Sequence, residues 1–334
     1  MSSKLKNNKY SSFGLYILIG LLGLGIGYYL GIYRSSNKLQ AHPIRENTDD
    51  YTYISPLLAY ETPREVTGQS KILSEKINKY INQNKEVGDK ISVYYRDLNT
   101  GDWVGINDND KYAPASMLKV IIMIGYLKRA ENNPSLFSNQ FTYTNDFKKI
   151  LDDKPFDSET ELKVGDHYKV SYLIDKMIID SDNGAKDLLL SNIDDSFLNS
   201  VYTDLGLRGP DTTTEYLISP RDYSLFFRVL YNATYLNREM SERALATLSK
   251  AIYANGIRAK VPENIKIAHK FGEHVENEGS NVKSVEQHDC GIVYDPGKPY
   301  FLCIMTHGQE VPTLEKYIQN ISDIVFTQVE SEKP

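Results

Sequence analysis

The sequence predicts an α+β domain: an antiparallel sheet built from both ends of the chain and covered by helices. Three observations carry this. Residues 70–84, SKILSEKINKYINQN, place Ile72, Leu73, Ile77, Tyr80 and Ile81 at helical spacing. Residues 91–96 and 103–106 flank Asn-Thr-Gly and read as a β-hairpin. The end of the chain returns to strands in IKIAHKFGE and DCGIVYDPGKPYFLCIMTHG, then closes with a helix near 312–328. Helix, hairpin, several helices, strands and a last helix, in that order, give segregated helices and strands.

The N-terminal elements come first. Residues 13–33, FGLYILIGLLGLGIGYYLGIY, form 21 residues without a charge, long enough to span a bilayer core as a helix. Lys4, Lys6 and Lys9 precede the run and no acidic residue does, which favours residues 1–12 as a cytoplasmic tail. The run is longer than the apolar core of a cleavable signal peptide, and YYLGIYRSS follows without a small-x-small site, so an uncleaved anchor is expected. Gly23, Gly27 and Gly31 share one helical face, a spacing that supports weak helix pairing, although membrane helices also tolerate glycine without it. Residues 34–67, with Pro43, Pro56 and Pro63, read as a polar stalk. A single domain over 68–330 then lies outside the cytoplasm.

Within that domain, APASMLKVIIMIGYLKRAE has a centre that is apolar all round and so should be a buried helix. Amphipathic helices follow at 168–179, 220–231 and 241–253. The composition supports one real core: 334 residues, 41% hydrophobic. A net charge of -6 gives no basic surface for nucleic acid, and two cysteines exclude a cysteine zinc cluster.

Three short motifs carry chemistry. Ser-x-x-Lys occurs four times, at Ser3, Ser35, Ser116 and Ser280, and position separates them. Only Ser116 opens a buried helix, just after Pro114, with Lys119 one turn on. The helix N-terminus and burial both disfavour a protonated Lys119, which could then take the Ser116 proton. Ser181-Asp182-Asn183 occurs once, at the end of an amphipathic helix. Lys270-Phe271-Gly272 lies on the strand IAHKFGE. Each motif has a bland alternative as a capping serine, a polar turn or a strand lysine. Their order is the stronger signal.

In that order the sequence resembles the penicillin-recognising serine enzymes, class A β-lactamases and their relatives, over roughly residues 70–328. GDHYKVSYLIDKMIIDSDNGA is similar to the family's helix leading into Ser-Asp-Asn. The resemblance implies a five-stranded antiparallel sheet plus an all-helical half, with the site between. It implies Ser116 as the nucleophile that forms an acyl-enzyme, Lys119 as a base and Ser181 as a relay to the leaving nitrogen. Asn183, Lys270 and Gly272 would meet the substrate. The amides of Ser116 and Glu273 would form the oxyanion hole. The substrate would be a β-lactam or a peptidoglycan peptide, with no cofactor and no metal. A D,D-peptidase and a silent wall-binding module are the alternatives.

The chain departs from the family twice. Phe271 stands where the family has Thr or Ser, whose hydroxyl helps bind the substrate carboxylate. The stretch from Asn183 to Ser219, 36 positions on, lacks the family's Glu-x-x-Leu-Asn deacylation pattern. Glu215 is the nearest carboxylate candidate there, with a solvated loop residue as the preferred reading. No Gly-x-Ser-x-Gly elbow or His-Glu-x-x-His motif offers another nucleophile system. His269, His274 and His288 read as ordinary polar histidines. A two-residue turn in Asp295-Pro296-Gly297-Lys298 would set Cys290 opposite Cys303. They could bridge there, though two buried thiols are the preferred expectation.

Overall fold

The structure is a computed structural model describing residues 39–45, 51–65, 69–147, 160–210, 215–278 and 281–333, together with Gly23 and Gly25. The expected transmembrane helix at 13–33 otherwise lies outside the described residues, as does the tail at 1–12. Among the described residues no helix is long and apolar enough to cross a membrane.

The chain divides into two units, one of residues 1–42 and 60–67, the other of residues 43–59 and 68–334. Strands β1 (Leu39–Arg45) and β2 (Leu57–Glu65) form a two-stranded sheet of their own. The larger unit holds a five-stranded antiparallel sheet in the order β4-β3-β9-β8-β7. Its strands are β3 (Lys90–Asp97), β4 (Trp103–Ile106), β7 (Ile267–Glu278), β8 (Asn281–Val293) and β9 (Tyr300–Gly308).

Alternation on the central strand explains why the sheet is buried on both faces. Tyr300, Leu302 and Ile304 of β9 point to one side, where they meet α1 (Gln69–Asn84) and the last helix, α8 (Val311–Ser331). Leu73, Ile77, Ile81, Leu314, Ile318 and Val325 fill that layer. Phe301, Cys303 and Met305 point to the other side, into the helical half. There α2 (Lys119–Ala130) runs through the middle, with Val120 through Ile124 all buried. Around it lie α3 (Val170–Ile179), α6 (Pro220–Tyr231) and α7 (Arg238–Leu248). A small sheet of β5 (Gln140–Thr142) and β6 (His167–Lys169) precedes α3.

Several details differ from the sequence expectations. The helix expected at 241–253 starts earlier, because the Asn237 side chain accepts the Met240 amide and caps it at Arg238. It also ends earlier, at Leu248, which leaves Ile252 and Tyr253 outside it. Two helices, α4 (Asn183–Leu190) and α5 (Asp195–Asp204), fill part of the stretch after Asn183. The segment expected as polar stalk docks on the domain over residues 51–57. The Glu242 carboxylate accepts the amides of Thr52 at 2.7 Å, Tyr53 at 2.8 Å and Ile54 at 3.0 Å. Ile54 is buried in the core and the Tyr53 ring meets Tyr294 edge-on, so this short apolar cluster outweighs its polar surroundings.

Cys290 and Cys303 are opposite in the β8–β9 register and are disulfide-bonded, contrary to the preferred expectation of two thiols. The physical reason is the tight turn: Lys298 donates to the Asp295 carbonyl at 2.9 Å, and Gly297 takes φ 80, which a side chain would resist.

Candidate active site

Ser116 stands on a 3₁₀ turn, Ala115–Leu118, rather than on the first turn of an α-helix. The Met117 amide donates to the Pro114 carbonyl at 2.9 Å and closes the turn; α2 begins only at Lys119. In a 3₁₀ turn, side chains at i and i+3 eclipse. Lys119 therefore falls over Ser116, with its Nζ 2.9 Å from Ser116 Oγ. Lys119 is buried, at 1% exposure. Ala115 holds φ 47, a left-handed conformation that costs a non-glycine residue roughly 1–3 kcal/mol and persists only where the surroundings enforce it. Those surroundings are visible. The Tyr223 hydroxyl donates to the Met117 carbonyl at 3.0 Å, and Glu286 and His288 hold Ala113.

Ser181 follows the end of α3 and also has a left-handed backbone, φ 57. This turns its carbonyl and hydroxyl toward Lys119, whose Nζ lies 2.5 Å from the Ser181 carbonyl oxygen and 3.0 Å from its Oγ. Asp182 sustains the turn, a role that the sequence motif alone left open. Its carboxylate caps α4 by accepting the Ala185 amide at 2.7 Å, and also accepts the Thr160 hydroxyl at 2.9 Å. An aspartate just before a helical run is the signal that could have revealed it. Asn183 begins α4, two residues beyond Ser181, and is half-buried.

Strand β7 supplies the opposite wall. Lys270 is fully buried, and its Nζ donates to Ser181 Oγ at 2.9 Å and to the Phe271 carbonyl at 3.2 Å. Burial pushes the Lys270 amine down to about 7, against the opposing pull of Asp289. Ser181 Oγ is thus shared by two lysines. Gly272 packs on the Ser116 turn: a Cβ there would stand 2.6 Å from the Pro114 carbonyl oxygen and 2.9 Å from Met117 Cγ. Only glycine lets β7 approach so closely, and Glu273 follows it in the middle of the strand. Partial burial and the Glu315 carboxylate push the Glu273 carboxyl up. The Phe271 ring lies under Lys270, with Nζ 4.1 Å from its centroid, and stacks on Tyr253 at 4.2 Å.

Five predicted residues, Ser116, Lys119, Ser181, Lys270 and Gly272, therefore converge on one locus. Glu215 does not join them. It is exposed and lines, with Lys111, Arg208 and Asp222, a cavity of about 210 Å³ that shares no lining residue with that group. Two of the three histidines have other partners. His269 Nδ1 meets the buried Asp289 carboxylate at 2.9 Å, and His288 Nε2 meets the Ala113 carbonyl. Among the described residues no group of three or more His, Cys, Asp or Glu side chains is placed to hold a metal ion.

A buried lysine against a serine at a helix start, on this sheet-and-helix frame, defines a serine hydrolase of the β-lactamase type. The chain belongs to the beta-lactamase enzyme family, whose profile matches residues 71–329. No curated protein sequence matches it. Among solved structures it is similar to a variant of PBP-A captured as an acyl-enzyme with penicillin G. The TM-score is 0.66 at 18% identity, over 78% of this chain and 97% of that one. It is also similar to a class A β-lactamase from Mycobacterium abscessus, with TM-score 0.62 and 20% identity over 76% of this chain and 98% of that one. A β-lactamase from Burkholderia phymatum gives 0.63 and 20%, over 79% and 100%. At these identities the likeness is one of fold.

Proposed function

We propose that this protein is a membrane-anchored, extracytoplasmic serine hydrolase that opens a β-lactam or related amide through an acyl-enzyme on Ser116. One observation carries the reading: Lys119 Nζ lies within hydrogen-bond reach of both Ser116 Oγ, at 2.9 Å, and Ser181 Oγ, at 3.0 Å. Lys119 as a free amine takes the Ser116 proton while Oγ attacks the carbonyl carbon. The amides of Ser116 and Glu273 would receive the developing oxyanion. As the C–N bond breaks, a proton passes from Lys119 through the Ser181 hydroxyl to the leaving nitrogen. Lys270, bonded to the same hydroxyl, steadies that relay. Asn183 would hold the substrate amide. Water then releases the acyl group.

Intact-mass spectrometry of the full chain with a β-lactam panel tests this. A mass increase on Ser116, absent in Ser116→Ala, supports the reading, and turnover of the compound supports a lactamase. An adduct that persists would favour a penicillin-binding peptidase, the second reading, which the position of Glu215 favours because that carboxylate lies apart from the serine. No adduct with any compound would leave a silent wall-binding module.

The anchor rests on the charge-free run at 13–33 and on the lysines before it. Protease added to intact cells should degrade the domain and spare a short membrane fragment. A mature protein starting beyond residue 33 would contradict the anchor.

A further inference from the structure

The wall beside Lys270 is aromatic. Phe271 and Tyr253 stack at 4.2 Å with an interplanar angle of 18°, and both are half-buried. Tyr253 is fixed at its far end: its hydroxyl donates to Glu315 Oε1 at 2.9 Å and accepts from Gln287 Nε2 at 2.8 Å. The neighbouring Ile252 is 68% exposed. Its amide donates to the Ile179 carbonyl, two residues before Ser181. An apolar rim of Ile252, Tyr253 and Phe271 therefore runs from the Ser181 turn to β7.

Lys270 is poorly placed to receive an anion beside that rim. An ammonium has three N–H donors. Two point to Ser181 Oγ and the Phe271 carbonyl, and the Phe271 ring covers a further approach at 4.1 Å. Carboxyl groups stand beside the rim: Glu315 on the Tyr253 hydroxyl and Glu273 within electrostatic reach of Glu315, while the Lys119 amine lies on the far side of Ser181 Oγ. A substrate carboxylate would have to displace the ring and approach like charges.

We infer that Phe271 and Tyr253 are specificity-determining residues that select an acyl donor with an uncharged, apolar group beside Lys270 and disfavour one ending in a carboxylate. This rests on the Ser116 acyl-enzyme reading and narrows it to a β-lactam or related amide whose leaving side carries no carboxylate. The ring faces offer stacking area to a flat group, and the fixed Tyr253 hydroxyl keeps them in place.

The test uses the full chain in detergent and two acyl thioesters that share the acyl group. Their leaving thiols differ only in ending in a carboxylate or in the matching benzylamide. Acylation of Ser116 is followed by intact mass, with Ser116→Ala as the blank. The benzylamide thioester should react at least about tenfold faster, since like-charge juxtaposition is costly. Phe271→Thr should shrink that ratio, mainly by speeding the carboxylate thioester. Tyr253→Leu should shrink it too, which covers the case that the strand variant fails to fold. Equal rates, or a faster carboxylate thioester, would overturn the selectivity while leaving the serine reading intact. A ratio unchanged in folded variants of both residues would overturn it as well. No acylation by either thioester would bring down both.

Discussion

Glu286 holds the Ser116 turn by the turn's backbone: its Oε2 accepts the Ala113 amide at 2.7 Å, three residues before Ser116. His288, two residues along β8, binds the same residue from the other end, its Nε2 3.1 Å from the Ala113 carbonyl oxygen. The Thr306 amide donates to His288 Nδ1 at 3.2 Å, which leaves Nε2 as the donor. The sheet thereby fixes where the 3₁₀ turn begins, and with it the direction of the Ser116 hydroxyl.

Glu286→Ala should destabilise the fold by about 1–3 kcal/mol, because it leaves a backbone donor without its acceptor. Acylation should slow more than the loss of folded protein explains, and Glu286→Gln should restore part of both. Burial acts to raise this carboxyl, but His288 and the Ala113 amide outweigh it and hold it below its ordinary 4.5. Its contribution is therefore full above pH 4.5 and is lost as pH falls through the lower, folded-state value. Urea denaturation of the wild type and Glu286→Ala at pH 6 and pH 4 checks this; the gap should narrow only toward acid.

Lys119→Ala removes the proposed proton acceptor. Loss of a general base typically costs about 10²–10⁴-fold in rate. Acylation of Ser116 by a reactive ester or lactam should fall by that order with the fold preserved by circular dichroism. Unchanged reactivity would show that Ser116 is not activated by Lys119.

Gly272→Ala places a methyl 2.6 Å from a backbone oxygen, Pro114 O, which cannot swing away as a side-chain tip can. Overpacking of this kind costs typically about 1–3 kcal/mol. β7 and the Ser116 turn must separate, so acylation should fall by roughly 10²-fold even where the protein stays folded. Thermal melting and single-turnover acylation, measured side by side, separate the two effects.

Lys270 predicts a pH dependence on the alkaline side. Its amine is held near 7 in the folded protein against an ordinary 10.5. Between those values the unfolded chain binds more protons, so stability rises with pH across the window. The destabilisation is largest below about pH 7. Lys270→Met should lose this rise, and the difference in unfolding free energy between the two proteins should change by about 1.4 kcal/mol per pH unit near pH 8. Parallel curves for the two proteins would rule the shift out.

Much of the fold was legible because its cues are local. The helical spacing of Ile77 and Ile81, the Asn-Thr-Gly hairpin and the symmetric turn at Pro296-Gly297 each act over a few residues. The apolar run from Val120 to Ile124 marked the central helix for the same reason. Helix α4 escaped notice because its cap, Asp182, sits inside a motif whose flanking residues drew the chemical reading.

By itself the sequence determined the order of the main sheet strands and the larger helices and the three motifs, since hydrophobic period and residue type are written along the chain. Only the tertiary structure decided which atoms meet. Ser181 lies 62 residues from Lys119 and 89 from Lys270, yet its hydroxyl touches both amines. Tyr253 and Glu286 carried no sequence signal and His288 read only as a polar histidine, because their roles exist only through partners on other elements: Phe271, Glu315 and the Ala113 backbone. The disulfide was settled in the same way, by a strand register that places Cys290 directly across from Cys303 inside the core.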